Sequence, residues 1–194
     1  KRALVEVAGY LKSEARADGS FEMRAEPPVQ ESDEKATTYA VRGLLGAYEV
    51  SGDAAWLDIA EKAQRYLATR KGATTTVRNM RLIGLAGATD EAAHESKRDI
   101  VAAIWAAQRA DGGWSEAEAL PSNPFATGQT LYALKQARVR TDDARFMRGI
   151  KWLMDRQEAD GNWRIEGGVD SQSRRPSNFA ASMWAAIGLA GAFG

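Results

Sequence analysis

The feature that most constrains this chain is that it repeats itself. Gln108-Arg109-Ala110-Asp111-Gly112-Gly113-Trp114 returns 49 residues later as Gln157-Glu158-Ala159-Asp160-Gly161-Asn162-Trp163, and each copy closes a stretch patterned as a helix. A worn copy, Ala15-Arg16-Ala17-Asp18-Gly19-Ser20-Phe21, has lost the Gln and exchanged Trp for Phe, and it precedes Trp114 by 93 residues, about two periods. The unit between them survives as another echo: Ile83-Gly84-Leu85-Ala86-Gly87-Ala88 recurs unchanged from Ile187 to Ala192, 104 residues on. Four units of about 49 residues therefore cover the chain, and a single repeat domain is expected over 1–194.

Each unit reads as two helices. The first carries an apolar stripe, as in Ile100, Val101, Ile104 and Trp105 leading to Gln108, or Phe146, Ile150, Leu153 and Met154 leading to Gln157. Earlier first helices are expected near 3–15 and 54–70. Second helices, near 35–49, 75–88, 125–138 and 178–192, are richer in Ala, Gly and Thr. Small residues let helices approach closely on several sides, so these are read as the inner members of an all-α stack. No alternating pattern marks a strand. Connections within a unit are long (19–34, 112–123, 161–177) and those between units short, which gathers the long loops and the N-termini of the inner helices at one end. Free amides and dipoles at those N-termini favour anionic or hydrogen-bond-accepting ligands, so a site is expected to face that end.

The repeated motif has a physical reading of its own. Gly112 and Gly161 suit the left-handed residue that ends a helix, and Asp111 and Asp160 can bond local turn amides. Trp114 and Trp163 can fold back onto the stripe that ends at Gln108 and Gln157, each with an indole donor to spare. The motif is a helix stop with an aromatic clamp, structural rather than chemical.

These residues resemble the terpene cyclase, squalene oxidase and prenyltransferase repeat proteins, whose hallmark is a Gln-x-x-x-Asp-Gly-type turn ending in Trp. Asn123-Pro124-Phe125-Ala126-Thr127-Gly128-Gln129-Thr130-Leu131-Tyr132-Ala133-Leu134 is also similar to an inner helix of squalene-cyclase-like proteins. The resemblance implies alternating inner and outer helices in an α/α toroid, and for the cyclases an apolar cavity that converts squalene or related polyprenoids into polycyclic products. Departures bear on function. The Asp-x-Asp-Asp acid of the class II cyclases is absent; the nearest pair, Asp142-Asp143, stands at the start of a first helix where N-capping is expected. The zinc ligands of the prenyltransferase branch are also missing, since the chain has no Cys and one His, His94, on a polar stretch. A closed ring of the family's six pairs would take about 300 residues at this period. Four pairs are legible, so a missing chain segment, a protein partner or self-association is expected to cover open apolar ends.

Other constellations are weaker. Arg164, Glu166, Asp170, Arg174 and Arg175 crowd the last long loop, and Glu22, Glu26, Glu31, Asp33 and Glu34 bias the first towards acid without the spacing of a cation loop. Tyr39, Arg42, Arg78, Gln129 and Trp184 lie on second helices and are the candidate pocket, in competition with core packing. Net charge is zero with both signs interspersed, which argues against nucleic acid, and nothing calls for a metal or cofactor. The chain begins at Lys1 without Met and contains no run of eighteen apolar residues; it reads as soluble, with secreted, periplasmic and membrane-peripheral locations all open.

Three functions follow from this. One is a squalene-cyclase-like binding or interaction scaffold, with an isoprenoid-like apolar ligand or a protein partner. Another is a portion of a triterpene cyclase, an isomerase, whose acid lies outside these residues. The last is a polysaccharide-acting α/α-barrel enzyme, which would need carboxylates and basic residues along a groove.

Overall fold

The computed structural model describes residues 2–23, 32–72, 74–165 and 176–193, and among them every regular element is a helix. Eight follow in order: α1 (Arg2–Glu14), α2 (Asp33–Ser51), α3 (Ala54–Thr69), α4 (Thr75–Gly84), α5 (Glu91–Ala106), α6 (Pro124–Gln136), α7 (Ala144–Met154) and α8 (Asn178–Phe193). The all-α class is present, and the eight helices fall in the order and near the places expected from the repeat. The largest boundary difference is at α4, which ends at Gly84 rather than near 88. Its last residue packs under Leu67 and Thr38, where a Cβ would collide with both, and Gly87 then turns the chain at a φ of +84°.

The chain divides into two compact units, residues 1–72 with 80–99, and residues 73–79 with 100–194, the division falling within α4 and within α5. In the first unit α2 packs against α1 and α3. Its buried side chains include Thr37, Thr38, Ala40, Val41, Leu44 and Ala47, mostly small ones that bring backbones together. Gly52, at a φ of +71°, ends α2 by donating its N–H to the Tyr48 carbonyl, and Asp53 starts α3 by accepting from the Ala55 N–H at 3.0 Å. Thr38 Oγ1 donates to the carbonyl of Met80, pinning the latter half of α4 to α2.

In the second unit α6 and α8 form the closest helix pair. Gly128 faces the backbone of Trp184 and Ala185, Gly188 faces the backbone of Gly128, and a Cβ at either position would fall inside van der Waals contact. Helix α6 starts at Asn123, whose side chain accepts from the Ala126 N–H, with Pro124 at the first position. Helix α7 is strongly two-sided. It buries Phe146, Gly149, Ile150, Trp152 and Leu153 and leaves Met147 and Met154 exposed, the pattern of a helix covered on one face only.

Candidate functional site

Two clamps of the same design occupy the second unit. Trp114 is fully buried, and its indole Nε1 donates to the carbonyl of Ile104, ten residues back, at 2.8 Å. Trp163 donates in the same way to Leu153, again ten residues back and at 2.8 Å. Both acceptors stand at the end of a first helix, where carbonyls lack an intrahelical donor. The backbone of each aromatic residue is held as well. Trp114 N donates to Thr127 Oγ1 on α6, and Trp163 N donates to Ser182 Oγ on α8. In the worn first repeat Phe21 N donates likewise to Thr37 Oγ1 on α2. These three hydroxyls tie each long loop to its own second helix, and the sequence reading missed them.

The motif carboxylates are consumed by the turn. Asp111 accepts from Gly113 N at 3.0 Å, Ser122 Oγ at 2.9 Å and Trp152 Nε1 at 2.9 Å. Burial pushes its pKa up, but those hydrogen bonds, with Arg156 nearby, outweigh it and leave the carboxyl below its ordinary value. Asp160 is lowered chiefly by the Asn162 N–H, and Asp18 chiefly by the Ser20 hydroxyl. Gln108 Nε2 donates both to the Gly112 carbonyl and to Arg145 O on α7, while Arg148 returns a bond to Gln108 Oε1. Gln157 donates to Gly161 O, closing its own turn. Asp143 caps α7 through Arg145 N, and its pKa falls to about 2, first because the Arg145 guanidinium bonds it. Asp142 is lowered by its paired Arg140. Each of these five carboxyls is thus held ionised, the opposite of what an alkene-protonating acid needs.

The second unit also contains an open cleft of about 830 Å³. Thr74, Thr75 and Arg78 at the start of α4 form one wall and Ala103, Ala106 and Ala107 at the end of α5 another, with the motif turn and the stretch Ser115–Glu118 completing the lining. It lies where the motif loop meets the N-terminus of α4. Thr75 N donates to Glu116 O at 3.2 Å, Arg109 Nη1 donates to Glu118 O at 3.2 Å, and the Glu116 carboxylate takes the Asn123 amide. Two arginines and two glutamates therefore border the space with alanines on one side, the Arg109 guanidinium bonded to the Glu118 carbonyl and the Glu116 carboxylate to Asn123.

Of the candidate pocket residues, Arg78 lines this cleft. Gln129 is buried and accepts from Asn79 Nδ2, which also donates to Thr130 Oγ1. Trp184 is half-buried between Phe125 and Tyr132, ring centroids 6.4 and 6.0 Å away. Tyr39 and Arg42, in the first unit, are exposed on α2. Among the acidic candidates Asp33 bonds Arg16 and Met23 N, while Glu22 pairs with Arg16 and Glu34 with Arg70. Glu26, Glu31, Glu166, Asp170, Arg174 and Arg175 lie outside the described residues. His94 is exposed. Among the described residues no cluster of His, Asp and Glu is arranged to hold a metal ion, and no helix is long and apolar enough to cross a membrane.

No family model matches the chain. It is similar to the drimenyl diphosphate synthase of Streptomyces showdoensis, a terpene cyclase, at 27% identity over 180 residues, covering 84% of this chain and 32% of that protein. The chain thus spans about a third of the length of this curated relative. With its helical architecture, that places the chain at a distance from the terpene cyclases, as a terpene-cyclase-like sequence.

Proposed function

We propose that this chain is a helical-repeat segment of a terpene-cyclase-like protein, and that it builds and stiffens the wall of an isoprenoid site without supplying the protonating acid. The carrying observation is the state of its motif carboxylates: Asp111 is engaged on three sides, and Asp111 and Asp160 are both held ionised. An acid strong enough to protonate an alkene must be uncharged when substrate binds. In this reading the four helix pairs are an arc of an α/α toroid, the second helices face the ligand, and the catalytic acid belongs to residues beyond these 194. The similarity to a drimenyl diphosphate synthase supports an isoprenoid ligand. Arg78 and Arg109 in the cleft suit the diphosphate head of such a ligand, with the alanines of α5 beside its chain.

Native mass spectrometry of the natural chain and of these 194 residues, each offered farnesyl diphosphate, tests the reading. Retained ligand on either chain, with a cyclised product from a longer chain alone, is the expected result. No retention and no product would overturn it.

The glutamates and arginines of the cleft favour a second reading, a groove for a polysaccharide. An acidic oligosaccharide panel in the same instrument separates the two, since only this reading expects retention of a sugar chain.

A further inference from the structure

The repeat supplies an internal standard for the junction between a motif turn and the first helix that follows it. Leu67, Ile104 and Leu153 are equivalent, each standing four residues before the motif Gln or the residue in its place. The Asp18-Gly19 turn seats on α3, where a Cβ on Gly19 would lie 2.5 Å from the Lys62 carbonyl oxygen. The Asp111-Gly112 turn seats on α7, where a Cβ on Gly112 would lie 3.0 Å from the Arg148 carbonyl oxygen. Lys62 and Arg148 stand five residues before Leu67 and Leu153, so the two seats are one contact made twice. Beside each seat is the same pair of side chains, an aromatic ring just before the leucine and an arginine three residues after it. Arg70 lies over the Tyr66 ring at 5.3 Å in α3, and Arg156 over the Trp152 ring at 4.2 Å in α7. In α7 the ring also reaches the turn, since Trp152 Nε1 donates to Asp111 at 2.9 Å.

The junction between these two departs from them at each of these places. In α5 the ring position is Ala103 and the arginine position is Ala107. Where the third repeat has Asp111 and Gly112, the second has Thr74 and Thr75. Thr75 is already in α4, and its N–H goes to the Glu116 carbonyl at 3.2 Å. The hydroxyl that ties a loop to its second helix differs too. Thr37, Thr127 and Ser182 stand seven residues before Leu44, Leu134 and Leu189, whereas Arg78 stands seven before Leu85. Thr74, Thr75, Arg78, Ala103 and Ala107 all line the cleft of about 830 Å³, and all five come from the interior of the sequence. A short side chain leaves a space only where its surroundings do not close over it, and here both walls are short together. The cleft is the place that ring, guanidinium and turn fill at the neighbouring junctions.

We propose that the second repeat leaves out this plug to hold a ligand, and that Ala103 and Ala107 are the residues that admit it. The apolar body of the ligand lies over the two alanines, in the place of the ring and the guanidinium, with its head beside Arg78. The ligand's identity as an isoprenoid diphosphate rests on the reading under Proposed function; the place of the site rests on the repeat alone.

Isothermal titration of the 194-residue chain with farnesyl diphosphate, set against the Ala103→Trp/Ala107→Arg protein, is the test. The variant rebuilds the pair that α7 carries, so it is expected to fold, to melt no lower than the parent and to bind about tenfold or more weakly. A variant that melts well below the parent would mean that the space does not match the neighbours' plug. One that binds as the parent does would place the ligand elsewhere. Either result overturns the proposal, and the second leaves the isoprenoid reading standing. If the parent itself does not bind farnesyl diphosphate, the isoprenoid reading falls, and the anionic aromatic dye anilinonaphthalene sulfonate, which brightens on apolar surface, decides the site. Brightening with the parent and not with the variant supports the cleft as a site for another apolar anion. Equal brightening with both, or none with either, overturns it.

Discussion

The ends of α3 and α5 present the same problem and solve it differently. At the end of α5 the Ile104 carbonyl accepts a backbone N–H from Ala107 and the indole of Trp114. At the end of α3 the Leu67 carbonyl accepts a backbone N–H from Arg70 and, at 3.1 Å, Nε of Arg81, which reaches over from α4 and also bonds Ser96. Both acceptors belong to buried residues, where a carbonyl missing its side-chain donor is costly. Trp114 comes from the long loop and needs the Asp-Gly turn to deliver it; Arg81 comes from the second helix and needs no turn. The second repeat can therefore lose the Asp-Gly-x-Trp turn and still supply a side-chain donor to that carbonyl.

The largest effect that bears on this comparison is expected from Trp114. Trp114→Ala removes a fully buried ring and should destabilise the second unit by about 3–5 kcal/mol. The narrower pair, Trp114→Phe and Arg81→Met, removes the donors while keeping bulk; each should cost about 1–3 kcal/mol in denaturant unfolding. If Arg81→Met proves neutral while Trp114→Phe does not, the equivalence of the two donors is broken.

A second pair sharpens the role of the turn. Gly112 and Gly161 have φ of +95° and +82°, so alanine is strained at both, by about 1–2 kcal/mol. Gly112 additionally sits over the Arg148 carbonyl, while among the described residues a Cβ on Gly161 would meet nothing nearer than the Gln157 amide at 4.0 Å. Melting of the Gly112→Ala protein should therefore fall clearly below that of Gly161→Ala, and equal losses would mean that the seat on α7 contributes nothing.

The smallest effect is expected in acid. Asp143 holds its proton less tightly folded than unfolded, so its cap on α7 contributes above its unfolded pKa of about 4 and is lost as pH falls through its folded value of about 2. The stability gap between the parent and Asp143→Ala, about 1 kcal/mol near neutrality, should close across that interval. A gap that persists at the acid end would assign the effect to helix propensity instead.

Helix order and turns were legible in the sequence because the repeat announces itself twice, in the Asp-Gly-x-Trp turns and in the echo of Ile83–Ala88. The donor at Leu67 was not legible, since an arginine on a second helix looks like any charged residue until its carbonyl is known. Thr37, Thr127 and Ser182 escaped for a related reason: a small hydroxyl in an Ala-rich helix reads as packing, and its partner is a loop amide far along the chain. The pocket residues scattered because helices such as α6 and α8 are apolar nearly all round, leaving periodicity no face to select. Gln129 was thus free to turn to Asn79, and Trp184 to Phe125 and Tyr132.

The crossing of α6 and α8 at Gly128 and Gly188 has a consequence in time as well as in space. Two backbones pressed together without side chains between them offer no room for water to enter one amide at a time. Their facing N–H groups can exchange with solvent only when the helices part as a pair, so hydrogen exchange in the second unit should be slowest there, well after the motif turns have begun to breathe.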